Sequence, residues 1–141
     1  MRSLCGVVVL GLFVSASYVA SAQAPLTAAD YPAKMKQAVQ ANVEVQKALK
    51  AGAVADVAAP AKMAAAAFAD IENFWKAQKK DDAVKLAAQA RTGFSDAAAA
   101  AAKGDLMAAQ MAAGSAAQTC KQCHSVYREG DAQTGFKIKG I

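Results

Sequence analysis

Residues 120–124 read Cys-Lys-Gln-Cys-His. On a helix, positions three apart lie on one face, so the Cys120 and Cys123 thiols can both reach one flat group. Each thiol can add across a vinyl group of a porphyrin, and the imidazole that follows at once can bind its iron. C-x-x-C-H is the attachment pattern of c-type haem, with His as an axial ligand. The motif uses the chain's only His and two of its three Cys. That excludes a multi-His metal centre, and no Ser/His/Asp or Cys/His nucleophile remains once His124 is on iron. No pair of carboxylates stands out as acid and base, so no catalytic residue is predicted and the chain is not expected to be an enzyme. Three other readings stay open. A redox dithiol expects a βαβ context; a structural zinc site needs four ligands, where the mature chain, expected to lose Cys5, keeps three Cys or His; and a disulfide across three residues closes a loop too small to stabilise much.

Haem is attached to such motifs outside the cytoplasm, and the N-terminus carries the corresponding address. Arg2 gives a positive start, Leu4 to Val14 is an apolar run, and Ala20-Ser21-Ala22 and Ala22-Gln23-Ala24 are both small-x-small cleavage sites, the first preferred because the second would put Pro25 at the cut. Residues 1–22 are expected to be a cleaved secretory signal and 23–141 a single periplasmic domain. The competing reading, an uncleaved anchor, has too short a run for a bilayer, which takes about 20 residues. Removal of Arg2 takes the formal charge from +5 to +4, and Cys5 leaves with the signal.

The elements that must hold the motif are helical. Ala makes up 39 of the 141 residues and only 6% are aromatic, which favours helix and nearly excludes an all-β fold. Four segments are predicted. The first opens at Asp30 with Pro32 in its first turn, carries the stripe Met35, Val39, Val43 and Leu49, and ends at Gly52. The second opens near Asp56 and carries Met63, Ala67, Ile71, Phe74 and Trp75. The third starts at Asp81 or Asp82 and carries Val84, Leu86, Ala90, Phe94 and Ala97–Ala102, ending at Lys103-Gly104. The fourth starts at Asp105 and runs through Leu106, Met107, Met111 and Ala117 to about Glu129. Residues 130–141 are a Gly-containing tail. Long helices joined by short loops predict an all-α, antiparallel up-down-up-down four-helix bundle. An Ala-rich core buries little area per residue, so a large bound cofactor would supply the missing apolar volume.

A c-type motif near the C-terminus, on the last helix of such a bundle, resembles the class II c-type cytochromes: cytochrome c′ and its low-spin relatives of the cytochrome c-556 type. Tyr127-Arg128 matches the aromatic-Arg pair that often follows the motif in this family. The specific match covers Cys120 to Arg128, and the architectural one the whole of 23–141. The tail beyond Arg128 is longer than the family's, and the chain is unusually rich in Ala. The resemblance implies one covalent haem c near one end of the bundle, with Cys120 and Cys123 attaching it and His124 as proximal ligand. It also implies that a Met early in the first helix is the distal ligand in low-spin members.

Level along the bundle selects that Met. His124 lies near the end of the fourth helix, level with the start of the first, where Met35 sits. Met107 and Met111 lie 17 and 13 residues before His124, about 25 and 20 Å away along a helix. Met63 is at the far end. Met35 is therefore the expected distal ligand, and Arg128, with Lys34 or Lys36 behind it, the candidate to pair with a haem propionate. Val39, Ile71, Phe74, Trp75, Val84, Leu86 and Tyr127 are the expected pocket. His/Met ligation suits single-electron transfer; an open distal site would instead suit NO or CO binding, as in cytochrome c′. The expected partners are redox proteins, with an acidic face suiting the weakly basic charge. Scattered Lys without aromatic interleaving argues against nucleic acid. Monomer and homodimer are both compatible with the sequence, and relatives often pair through the first two helices.

Overall fold

Four Ala-rich runs form four helices: α1 Tyr31–Lys50, α2 Ala58–Ala77, α3 Asp81–Ala102 and α4 Leu106–Tyr127. The computed structural model describes residues 25–131, 133 and 135–141. The expected signal at 1–22, including Cys5, lies outside the described residues. Asp105 caps α4 as expected, its carboxylate accepting from the Ala108 N–H at 2.9 Å. Asp30 does not cap α1; its carboxylate accepts instead from the Thr27 hydroxyl. Beyond Asp56, α2 starts two residues later than expected, because Val54–Asp56 forms a single 3₁₀ turn.

The helix ends share one device. After α1 and α3, Gly52 and Gly104 take φ of +70° and +74°. The next amide reaches back five residues, Ala53 N–H to Ala48 C=O and Asp105 N–H to Ala100 C=O, both at 3.0 Å. This satisfies carbonyls that a helix end leaves unpaired. Lys79, at φ 55°, does the same after α2 at the strain a side chain brings. The short connections reverse the chain each time, giving an all-α four-helix bundle with α1 on α2, α2 on α3 and α3 on α4. The ring closes poorly, since α1 and α4 touch sparingly. Among the described residues no helix is long and apolar enough to cross a membrane.

The expected stripes are displaced in two helices. In α1, Val39 and Val43 are 49% and 54% exposed, while Ala38, Ala41 and Val45 are buried. In α4, Met107 and Met111 are exposed, while Ala109, Ala113 and Ala116 face inward. In α4 the physical reason is close approach to α3: where backbones nearly touch, only small residues fit between them and bulky ones are turned out. Gly93 of α3 shows the limit, since a Cβ built there would lie 3.0 Å from the Ala112 carbonyl oxygen and from the Ala116 Cβ. Ala97, Ala98 and Ala101 of the Ala run are buried, so it serves packing on one side and fills helix on the other.

The core falls into two clusters. One, at the far end from His124, is built of Val45, Leu49, Val57 and many Ala. The other holds Tyr31, Phe68, Ile71, Phe74, Trp75 and Phe94, with Met35, Cys120, Tyr127 and Ile138 packed against it. Glu72 on α2 joins the helices electrostatically, bonding Lys76 at 2.6 Å and Arg91 of α3 at 2.9 Å. The Lys76 bond, with Arg91 behind it, holds the Glu72 carboxyl below its usual range against the opposing effect of burial.

The tail is not irregular throughout. Arg128–Glu129 (β1) leaves the helix and pairs antiparallel with Lys137–Ile138 (β2), Arg128 opposite Ile138. Lys139 N–H extends the ladder to the Tyr127 carbonyl at 2.8 Å. The fourth helix thus stops two residues before Glu129, because the chain turns into this hairpin.

Two glycine substitutions test the packing. Gly93→Val should lower stability by about 2 kcal/mol through overpacking. Gly114→Ala, which meets nothing within 4 Å, should raise it by up to about 1 kcal/mol through helix propensity. Urea unfolding midpoints read both, and equal shifts would refute the close α3–α4 approach.

Candidate functional site

The gap between α1 and α4 opens at the His124 end as a cavity of about 460 Å³. Its α4 wall carries Cys123, His124 and Tyr127, its α1 wall Tyr31, Met35 and Val39, and its floor Trp75. A smaller inner cavity adjoins it, with Tyr31, Met35, Cys123 and His124 common to both. Cys120 opens onto that inner space beside Ile71 and Leu86. Met35 and His124 therefore face one space from opposite helices. Met63, Met107 and Met111 are 67%, 73% and 72% exposed and line neither cavity.

The rest of the expected pocket divides. Val39, Trp75 and Tyr127 line the larger cavity, and Ile71 and Leu86 the inner one. Phe74 and Val84 line neither: Phe74 is buried behind the wall and Val84 packs against the same cluster. Lys36 and Arg128 line the mouth with Lys137, and no carboxylate is among the described lining residues. Lys34 is turned away and pairs with Asp70 of α2 at 2.9 Å. The Arg128 guanidinium lies 4.5 Å over the Phe136 ring, a cation–π contact.

Aromatic contacts fix the wall. Trp75 Nε1–H donates to the Tyr31 oxygen at 3.1 Å, joining α2 to the first residue of α1. The Tyr31 ring lies 4.6 Å from Phe74, and the Trp75 ring 4.7 Å from Tyr127. Burial holds the Tyr31 phenol protonated well above the usual range. Tyr127 in turn donates its hydroxyl to Asp82 of α3 at 2.5 Å.

The ionisable groups of the motif are set by burial. It pushes both the Cys120 and the Cys123 thiols up to about 11, so both are neutral at neutral pH. Reactive dithiols show the opposite shift, a lowered thiol pKa in electropositive surroundings. The two cysteines are unbridged. Burial, with the Arg128 charge behind it, lowers His124, leaving a ring nitrogen lone pair free to ligate. Among the described residues no group of three or more His, Cys, Asp or Glu is arranged to hold a metal ion by itself.

Sequence reasoning missed Tyr31, Asp82, Phe136, Lys137 and Ile138. Tyr31 lies one turn before Met35 and had a helical-spacing signal. Phe136 and Ile138 alternate with Lys137 after Gly135, the period of a strand. No family model, no curated protein and no solved structure matches the chain.

The Tyr127–Asp82 bond sets a pH dependence. Its effect on Asp82 is to depress the carboxyl, so the stabilisation is present above the unfolded carboxylate value and lost as pH falls through the depressed one. Its effect on Tyr127 is to push the phenol up to about 12, so stabilisation present below the unfolded value near 10 is lost as pH rises toward 12. Tyr127→Phe should lower the melting temperature at neutral pH and match the parent at both extremes. A difference that persists unchanged into strong acid would exclude the bond as its source.

Proposed function

We propose that this chain is a periplasmic c-type cytochrome of the class II kind, carrying single electrons through one covalently attached haem c. The observation that carries the reading is the shared cavity: Cys123 and His124 of α4 face Met35 of α1 across it, with Cys120 on the adjoining inner space. A cavity of 460 Å³ falls within the range of about 300–1,000 Å³ usual for bound small molecules. Its walls suit a flat, largely apolar macrocycle, and its cationic mouth suits that group's carboxylate edge.

The chain's residues then divide the work. The Cys120 and Cys123 thiols would hold the group covalently, each by addition across one of its vinyl groups with the thiol proton going to the other carbon. His124, kept neutral by burial, would give a ring nitrogen to the iron. Met35 would offer its sulfur from the opposite wall, and a His and Met donor set suits one-electron transfer. Arg128, Lys36 and Lys137, at the cavity mouth, would pair with the group's carboxylates. Bound haem supplies the one-electron chemistry at iron. Tyr31, Trp75 and Tyr127 keep the surroundings apolar and fixed, and the remaining basic surface favours an acidic redox partner.

Expression with haem-attachment machinery, followed by mass and visible spectra, tests the reading. The expected protein is coloured, gains one haem in mass, and is low-spin with a sulfur-to-iron charge-transfer band and little response to CO. Met35→Ala should abolish that band and admit CO. A native protein that is high-spin and binds CO readily would transfer the proposal to a gas-binding cytochrome. A colourless protein would overturn it.

A further inference from the structure

The hairpin after α4 is extra to the motif and to the bundle, yet it reaches the cavity. Phe136, Lys137 and Ile138 line it, and Ile138 packs against the aromatic cluster. The hairpin borders the cavity between α1 and α4, the neighbouring helices that touch least. Three separate contacts hold it there: the β1–β2 ladder, the Lys139 N–H to Tyr127 C=O bond at 2.8 Å, and the Arg128 guanidinium on the Phe136 ring at 4.5 Å. Phe136 is 51% exposed, so one part of its ring meets solvent while another lines the cavity.

We propose that Phe136 and Ile138 are specificity-determining residues of this site: they form its outer wall and keep water from the cavity edge, with Arg128 positioning Phe136. As a statement about the cavity this stands by itself; as a statement about a redox centre it rests on the haem reading above. An iron centre shielded from water favours its less charged, reduced form, because water stabilises charge that an apolar wall does not. The hairpin therefore raises the reduction potential and excludes polar molecules, while electrons still pass.

The experiment uses the full chain and two variants. The double substitution Phe136→Ala with Ile138→Ala removes the wall. Lys139→Pro removes the backbone donor that pins the hairpin and changes no lining side chain. Hydroxyl-radical footprinting read by mass spectrometry reports water access residue by residue, whether or not haem is attached. Both variants should raise labelling at Tyr31, Met35 and Trp75, with Leu49 in the far cluster unchanged as the control for folding. In the loaded protein both should shift the potential downward. Unchanged labelling of the cavity residues would overturn the proposal, and so would raised labelling with an unshifted potential. Raised labelling in a chain that takes up no haem would leave the wall standing and remove the haem reading instead.

Discussion

A buried indole N–H has to find an acceptor, and in this bundle it finds one 44 residues away. Trp75, near the end of α2, donates to Tyr31, the first residue of α1. Three residues after Tyr31 and five before Trp75, Lys34 and Asp70 pair across the same helices. These contacts commit the start of α1 to α2. With α1 drawn that way, and with α3 and α4 held together by Ala against Gly93, the α1–α4 seam is the one that cannot close. The cavity is that seam, and the placing of Met35 opposite His124 follows from it.

Side-chain size, more than hydrophobicity, decides which end of the bundle is solid. At the far end Val45, Val57, Ala61 and Ala109 fill the space by letting backbones approach. At the other end the aromatic rings hold the helices apart and cannot fill the wedge they create. A chain with 6% aromatic residues has placed most of the bulky rings of its described core around one opening.

Much of this was legible in the sequence where the signal was local. Asp105 as a cap, Gly52 and Gly104 as stops, and the Cys120–His124 spacing each act within a turn or two of chain. The level of Met35 followed from the antiparallel topology. The stripes of α1 and α4 were not legible, because apolar periodicity gives Val43 and Met111 more weight than Ala41 and Ala113, whereas close packing reverses that order. The hairpin escaped because a two-residue ladder is held by distant groups: Tyr127 by its carbonyl, and the cluster around Trp75 by its surface. Arg128 illustrates the same limit. The sequence singled it out as a candidate partner for a propionate, whereas its stacking on Phe136 depends on a chain segment that returns eight residues later.

The division into two cores has a consequence for how this sequence can drift over generations. At the far end Val45, Leu49 and Val57 have side chain to lose among many Ala, and enlarging those buried Ala would overpack the helices. The aromatic end is held from both sides: shortening Phe74 or Trp75 removes large buried area, and added bulk along the cavity would take the space the proposed haem needs. The two ends thus differ in what holds their residues: packing alone at one, packing and a space that has to stay open at the other. Neutral variation should accumulate as exchanges among small residues away from the opening, and least along its walls.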